Sequence, residues 1–218
     1  MKELLYNFYT TSGGSSHMSG GGGPLGFDIQ YALEIDYLLN IYKCDAIIET
    51  GTHLGDSTEY FAKQYPNITI ISSEIKKEFF DYSSKRLNHY PNVHLYNESS
   101  EKTLLKLQNT FFLPFYYLDA HWYDYWPLSD ELSYINAGIV NISDFNINNE
   151  NFGFDSYGGK QCNIDIIPKS SNTTPVYINN INSEIFPIIP TIRRCGRAYF
   201  AKNYLHDKFE CSKLFTKI

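Results

Sequence analysis

Five short apolar segments that look like β-strands alternate with segments of helical periodicity between residues 29 and 145. The strand-like segments are DAIIET (45–50), ITIISSE (68–74), NVHLYNE (92–98), PFYYLDAHW (114–122) and GIVNISDF (138–145). The segments of helical pattern are 29–43, 56–65, 76–90, 100–109 and 127–137. The strands lack clean polar–apolar alternation, as expected when both faces of a sheet are covered. This repeat, with its short connections, predicts an α/β fold with a doubly wound, mostly parallel sheet.

The pattern weakens after Asp144, and prolines interrupt the C-terminal part of the chain. Three further strand-like segments remain there, PVYINNI (175–181), FPIIPTIR (186–193) and GRAYFAKN (196–203). Because proline is confined mainly to edge strands, we predict antiparallel strands at the C-terminal side of the sheet.

The N-terminal part of the chain differs in composition from the rest. Residues 11–26 read TSGGSSHMSGGGGPLG, a Gly/Ser-rich loop. Two interpretations stay open: a mobile linker or cloning remnant without chemistry, or a lid over a pocket. We predict an N-terminal segment over 1–27 and one α/β domain over 28–218.

The charge balance argues against several classes of partner. Lys plus Arg number 18 and Asp plus Glu number 24, giving a net charge of −6. Such a chain has no electrostatic footprint for a nucleic-acid backbone. The sequence has no apolar run long enough for a membrane span, and its first ten residues are too polar for a signal peptide. We predict a cytoplasmic protein without nucleic-acid or membrane partners, and a homo-oligomer stays open.

Acidic residues stand at the ends of several predicted strands, namely Glu49, Glu74, Asp119 and Asp144. Each one could simply cap the helix that comes after it. Ligands of doubly wound sheets, however, bind beyond the carboxyl ends of the strands. Together these acids favour a polar ligand that carries hydroxyl groups and a positive charge.

The segment ETGTHLGDS, residues 49–57, resembles motif I of class I S-adenosylmethionine-dependent methyltransferases. Three residues separate Gly51 from Gly55, unlike the GxGxxG pattern of nicotinamide enzymes, which this spacing disfavours. The resemblance implies a methyltransferase-like domain over 28–218, with Glu74 accepting the ribose hydroxyls and the segment NESS (97–100) bordering the adenine. It assigns cofactor binding to Glu49, Gly51, Thr52, Gly55, Ser57, Glu74, Ile75, Ser99 and Asp119.

The fourth strand end is similar to the motif of catechol- and macrocin-type O-methyltransferases, in which an aspartate after the strand binds Mg²⁺. The resemblance implies Asp119 and Asp144 as metal ligands and catalytic residues, with Mg²⁺ as a second cofactor. Phe145 follows Asp144 and Ser143 precedes it, so one expected ligand is missing, and Trp122 replaces the lysine base of the catechol type. His121 is the remaining candidate for the base, because its ordinary pKa suits proton abstraction near neutral pH. A hydrogen bond within a loop is the alternative role for His121.

Other residues have two possible roles each. His53 could face the cofactor or make a loop hydrogen bond. The aromatic cluster at 122–126 could stack on a substrate or pack under a helix. Asp155 and Tyr157 are candidates for a substrate loop. The cluster of Arg193, Arg194 and Arg197 could meet an acidic substrate or form a solvated face.

We therefore predict an S-adenosylmethionine-dependent methyltransferase that acts on a hydroxyl of a small molecule or sugar. The alternative is a non-catalytic module or scaffold that binds S-adenosylmethionine, which the missing ligand beside Asp144 and the missing lysine at Trp122 favour.

Overall fold

The computed structural model describes residues 1–11, 23–122, 124–167, 175–179 and 194–218. The helices are α1 (Lys2–Thr10), α2 (Ile29–Tyr42), α3 (Asp56–Gln64), α4 (Lys77–Leu87), α5 (Ser100–Leu107), α6 (Leu128–Tyr134) and α7 (Asp207–Glu210). The strands are β1 (Ala46–Thr50), β2 (Thr69–Ser73), β3 (Val93–Tyr96), β4 (Pro114–Leu118), β5 (Gly138–Ile142), β6 (Ser156–Tyr157), β7 (Lys160–Gln161), β8 (Tyr177–Asn179), β9 (Ala198–Lys202) and β10 (Phe215–Lys217). No helix in this described part of the chain has both the length and the apolar character needed to cross a bilayer.

An eight-stranded sheet has the order β10-β8-β9-β5-β4-β1-β2-β3. The strands β1 to β5 are parallel, and β9 joins β5 in antiparallel orientation. The prediction of a doubly wound, mostly parallel sheet with antiparallel C-terminal pairing is confirmed. The predicted strand at 186–193 lies outside the described residues. The order changes direction between β1 and β4, which opens a crevice at their carboxyl ends.

A hydrophobic core covers each face of the sheet. One core holds Ile47, Phe115 and Ile139 together with buried side chains of α1, α2, α3 and α7. The other holds Ile48, Val140 and buried side chains of α5 and α6. Successive strand residues thus point to opposite, equally apolar sides, which explains why the sequence shows no alternation.

The N-terminal decapeptide forms α1, a helix that the sequence analysis did not predict. Leu4 and Phe8 lie one helical turn apart and are buried in the core beneath α2 and α3. A short 3-10 turn, Pro24–Phe27, precedes α2. The domain boundary at residue 28 stays a prediction.

A buried ion network ties α2 to β9. The Arg197 side chain is only 1% exposed, and its Nε lies 2.8 Å from Glu34 Oε2. Its Nη1 lies 2.9 Å from Asp28 Oδ2. Arg194 is also buried and lies near Asp28. The interpretation of this arginine cluster as a solvated face or a substrate contact is therefore wrong for Arg197, and Arg193 lies outside the described residues.

Candidate functional site

A cavity opens where β1, β2 and β4 end at the carboxyl edge of the sheet. Most of the predicted cofactor-binding residues line it, namely Glu49, Gly51, Thr52, Ser57, Glu74, Ile75 and Asp119. They come mainly from three different strand ends, so the parallel topology brings them together. Their contact with a cofactor stays a prediction.

Gly51 forms the tight turn after β1. Its φ is +85°, and its backbone N–H donates to the Ser73 carbonyl at 3.0 Å. A Cβ at this position would lie 2.8 Å from the Asp119 carbonyl oxygen. Glycine is therefore required both for the backbone conformation and for the close approach of the β1 and β4 ends.

The Glu74 carboxylate is fixed by backbone donors on both oxygens. Oε2 accepts from the His53 N–H at 2.7 Å, and Oε1 accepts from the Lys76 N–H at 2.8 Å. Each carboxylate oxygen has a second lone pair, so both oxygens can still accept a hydrogen bond from the cavity. This geometry suits a vicinal diol, the group that the sequence analysis assigned to Glu74.

Glu49 is a buried acid at the end of β1, with Thr58 donating to its Oε2. Burial raises its pKa to about 7, although hydrogen bonds from Ser72 and Thr58 oppose the shift. The nearby Glu74 charge adds to the increase. Burial thus makes the ionised form of Glu49 unfavourable, and a positive ligand group would stabilise it.

Glu49→Gln is expected to stabilise the ligand-free protein at pH 8. A carboxyl whose pKa is raised on folding makes its full contribution to stability below its unfolded pKa of 4.5. That contribution is lost as the pH rises through the folded pKa of about 7. The free energy of unfolding of the variant should therefore exceed that of the wild type by up to about 3 kcal/mol above pH 7. Below pH ~4.5 the two free energies should be equal. Urea unfolding across this range measures it, with exposed Glu3→Gln as control. A gain that is the same at every pH would contradict the assignment.

Asp119 comes directly after β4, and both its backbone and its carboxyl are held. Its N–H donates to Thr50 Oγ1 at 3.1 Å, and its Oδ2 accepts from the Tyr117 hydroxyl at 3.0 Å. Burial and the charge of Asp144 raise its pKa well above the usual value, while the Tyr117 hydrogen bond lowers it. Oδ1 is buried and has no hydrogen-bond partner among the described residues. A buried acceptor in this state is a site for a ligand hydrogen bond.

His121 and Asp144, both predicted as catalytic, are absent from the described residues that line the cavity. The His121 ring is fully buried, with Nε2 lying 3.1 Å from the Ser143 carbonyl oxygen. Burial lowers its pKa. Asp144 has left-handed backbone, and its carbonyl accepts from the Asp155 N–H at 2.9 Å. His121 therefore has the loop hydrogen bond given as its alternative role.

The donor set for Mg²⁺, predicted as Asp119 and Asp144, is incomplete at the cavity, because Asp144 is absent from the described residues that line it. Mg²⁺ requires near-octahedral coordination by oxygen atoms. Across the ranges that the structure describes, no group of three His, Cys, Asp or Glu side chains is arranged to hold a metal ion. We therefore assign no step to a metal.

Two of the predicted cofactor residues, Gly55 and Ser99, are absent from the described cavity lining, and Ser57, which lines the cavity, also contacts the turn before α2. A Cβ on Gly55 would lie 2.9 Å from Leu87 Cδ1, so this glycine lets α3 start against α4. The Ser57 hydroxyl oxygen accepts from the Leu25 N–H at 3.0 Å. Ser99 is buried at the start of α5, and its neighbour Ser100 lines the cavity instead.

The 3-10 turn before α2 supplies part of the cavity wall that the sequence analysis did not predict. Gly23 and Gly26 line the cavity. The Gly23 N–H donates to Asp56 Oδ2 at 3.0 Å, and the Leu25 backbone is left-handed with φ of 55°. Side chains of α3 therefore hold this turn at the cavity, and the choice between a linker or cloning remnant and a lid for residues 11–26 stays open. The preceding residues 12–22 lie outside the described residues.

Aromatic side chains form the remaining wall. The His53 ring lies 4.5 Å from the Phe79 ring and 6.3 Å from the Trp122 ring, between centroids. Trp122 and Tyr125 line the cavity, so this part of the aromatic cluster faces it. Phe79 and Tyr117 were missed because both sit in patterns that indicate packing, and only the fold turns them toward the cavity.

Comparison with solved structures gives likenesses at low sequence identity. An O-methyltransferase from Bacillus cereus, in complex with SAH, has a TM-score of 0.56 and 12% identity, covering 93% of this chain and 91% of that chain. A SAM-dependent O-methyltransferase from Thermotoga maritima has a TM-score of 0.50 and 11% identity, covering 80% and 66%. Spermidine synthase from Thermotoga maritima has a TM-score of 0.51 and 10% identity, covering 86% and 65%. No protein-family model matches the sequence, and neither does any curated protein.

Proposed function

We propose that this chain, which has the fold of class I S-adenosylmethionine-dependent methyltransferases, is an enzyme. It transfers a methyl group to a hydroxyl of a small molecule or sugar. The observation that carries this proposal is the cavity itself. It joins the Gly51 turn, the doubly anchored Glu74 and the buried Asp119 Oδ1 at one sheet edge.

The residues present fit an adenosyl sulfonium donor. Glu74 would accept both ribose hydroxyls, and Ile75 and Ser100 would border the adenine. Glu49 would pair with the ammonium group of the methionine part, which also explains why a buried acid is kept at this position. When bound, S-adenosylmethionine supplies an electrophilic methyl group on a positively charged sulfur.

Asp119 is the group best placed to act on the acceptor. Its Oδ1 would accept the hydrogen bond of the acceptor hydroxyl and take the proton as the new oxygen–carbon bond forms and the sulfur–methyl bond breaks, with the thioether S-adenosylhomocysteine as the leaving group. A raised pKa makes the ionised carboxylate a stronger base, and the positive charge of the bound donor would favour that ionised form. The aromatic wall of His53, Phe79 and Trp122 would exclude water and orient the acceptor.

Glu74→Gln is expected to weaken S-adenosylmethionine binding by about 10- to 100-fold, because hydrogen bonds to a charged group are lost. Isothermal titration calorimetry of wild type and variant measures the effect. Glu78→Gln, an exposed glutamate at the start of α4, is the matched control and should bind like the wild type.

Two further results, one from titration and one from a turnover assay, separate this proposal from its alternatives. Tighter binding of NAD than of S-adenosylmethionine by the wild type would overturn the proposal. Binding of S-adenosylmethionine without turnover of any hydroxyl in a panel of small molecules and sugars would support the non-catalytic module instead.

A further inference from the structure

Tyr117 carries a hydroxyl at a position where the fold needs only an aromatic ring. Phe115 and Tyr117 alternate along β4, so both point to the same side of the sheet, and Asp119 follows directly after the strand. Phe115 is fully buried in the core on this side without a hydroxyl. Tyr117 is only 2% exposed, so its hydroxyl requires a partner.

The Tyr117 ring is fixed by its neighbours. Its centroid lies 5.7 Å from that of Phe61, edge-on, and 5.8 Å from that of Tyr31. On the sheet it stands in register between Glu49 of β1 and Asn141 of β5. With the ring held on all of these sides, the hydroxyl has one position, 3.0 Å from Asp119 Oδ2.

The two oxygens of the Asp119 carboxyl therefore differ in their hydrogen bonding. Oδ2 is occupied by Tyr117, and the backbone of Asp119 is held by Thr50. Oδ1 is buried and has no hydrogen-bond partner in the part of the chain that the structure describes. A carboxyl free to rotate would exchange these oxygens, whereas a donor fixed on one of them holds the other in one position on a residue that lines the cavity.

We propose that Tyr117 is a positioning residue that holds Asp119 Oδ2 so that Oδ1 meets the acceptor hydroxyl. This inference rests on the proposed function, in which Asp119 takes the acceptor proton. Tyr117 acts through Asp119 and not on the donor, so its loss should lower turnover while donor binding stays.

A double-mutant cycle with Tyr117→Phe and Asp119→Asn tests this role. Tyr117→Phe alone should lower kcat about tenfold, the effect of one hydrogen bond to a charged group, with the donor Kd within about twofold of the wild type. In the Asp119→Asn background it should lower kcat by less than about twofold, because its target is gone. Tyr116→Phe is the matched control: Tyr116 is the neighbouring residue of β4, points to the opposite core and should leave kcat unchanged.

A crystal structure of Tyr117→Phe gives a readout that needs no turnover. We expect the Asp119 carboxyl to rotate away from its wild-type position. An unmoved carboxyl, or an equal loss of kcat in both backgrounds, would overturn the proposal. Failure of the wild type to bind S-adenosylmethionine would sink the proposed function alone, since the carboxyl rotation can still be measured.

Discussion

Asp119→Asn is expected to lower kcat by about 100-fold or more, while the affinity for S-adenosylmethionine changes little. The amide cannot take the acceptor proton, and general-base catalysis contributes about 10²- to 10⁴-fold. Donor binding depends mainly on Glu49, Glu74 and the Gly51 turn, which the substitution leaves in place. A turnover assay with labelled donor, beside calorimetry, separates the two effects.

The matched control for this substitution is Asp130→Asn, on the exposed side of α6. It should turn over like the wild type. If Asp119→Asn keeps more than about a third of the wild-type kcat, Asp119 is not the base and the mechanism is wrong. His121→Ala tests the alternative base in the same assay, and a loss matching that of Asp119→Asn would restore His121 to that role.

Arg197→Met is expected to give the largest loss of stability, about 3–5 kcal/mol in the free energy of unfolding. The substitution leaves Glu34 buried without its cation and removes one of the two arginines beside Asp28, whose Oδ2 still lies 3.5 Å from Arg194 Nε. It also removes the guanidinium that lies 4.4 Å from the centroid of the Tyr31 ring. Urea unfolding monitored by circular dichroism measures the loss.

Two companion variants show whether the loss of stability comes from buried acids that have lost the Arg197 cation. Arg197→Lys keeps the charge and should lose less than Arg197→Met. Adding Glu34→Gln to Arg197→Met should recover part of the stability, because one buried charge is removed. No recovery would mean that packing of the arginine stem, and not charge, dominates.

The sequence predicted the parallel half of the fold because strong local signals marked each element. Strand positions came out within a few residues, with β4 ending at Leu118 and not at 122. Helix α1 was missed although Leu4 and Phe8 have helical spacing, since the glycine-rich segment after it suggested an appendage. The ion network of Arg197 joins residues 163 positions apart, a distance at which a single sequence carries no signal.

The candidate site was predictable where a strand end and a turn fix the geometry. Glu49, Gly51 and Glu74 belong to that class, and each lines the cavity. His121 does not, because β4 has already ended and the two-residue alternation no longer tells which way a side chain points. Gly23 is held at the cavity by its bond to Asp56, a long-range contact that local pattern does not encode.

The placement of Arg197 has a consequence for how the chain folds as it leaves the ribosome. Asp28 and Glu34 emerge first, and their cation is synthesised 163 residues after Glu34. Until then both carboxylates must stay hydrated, so α2 cannot settle onto the sheet in its final position. During synthesis the domain is therefore incomplete. Its final packing requires β9, which the ribosome adds long after α2.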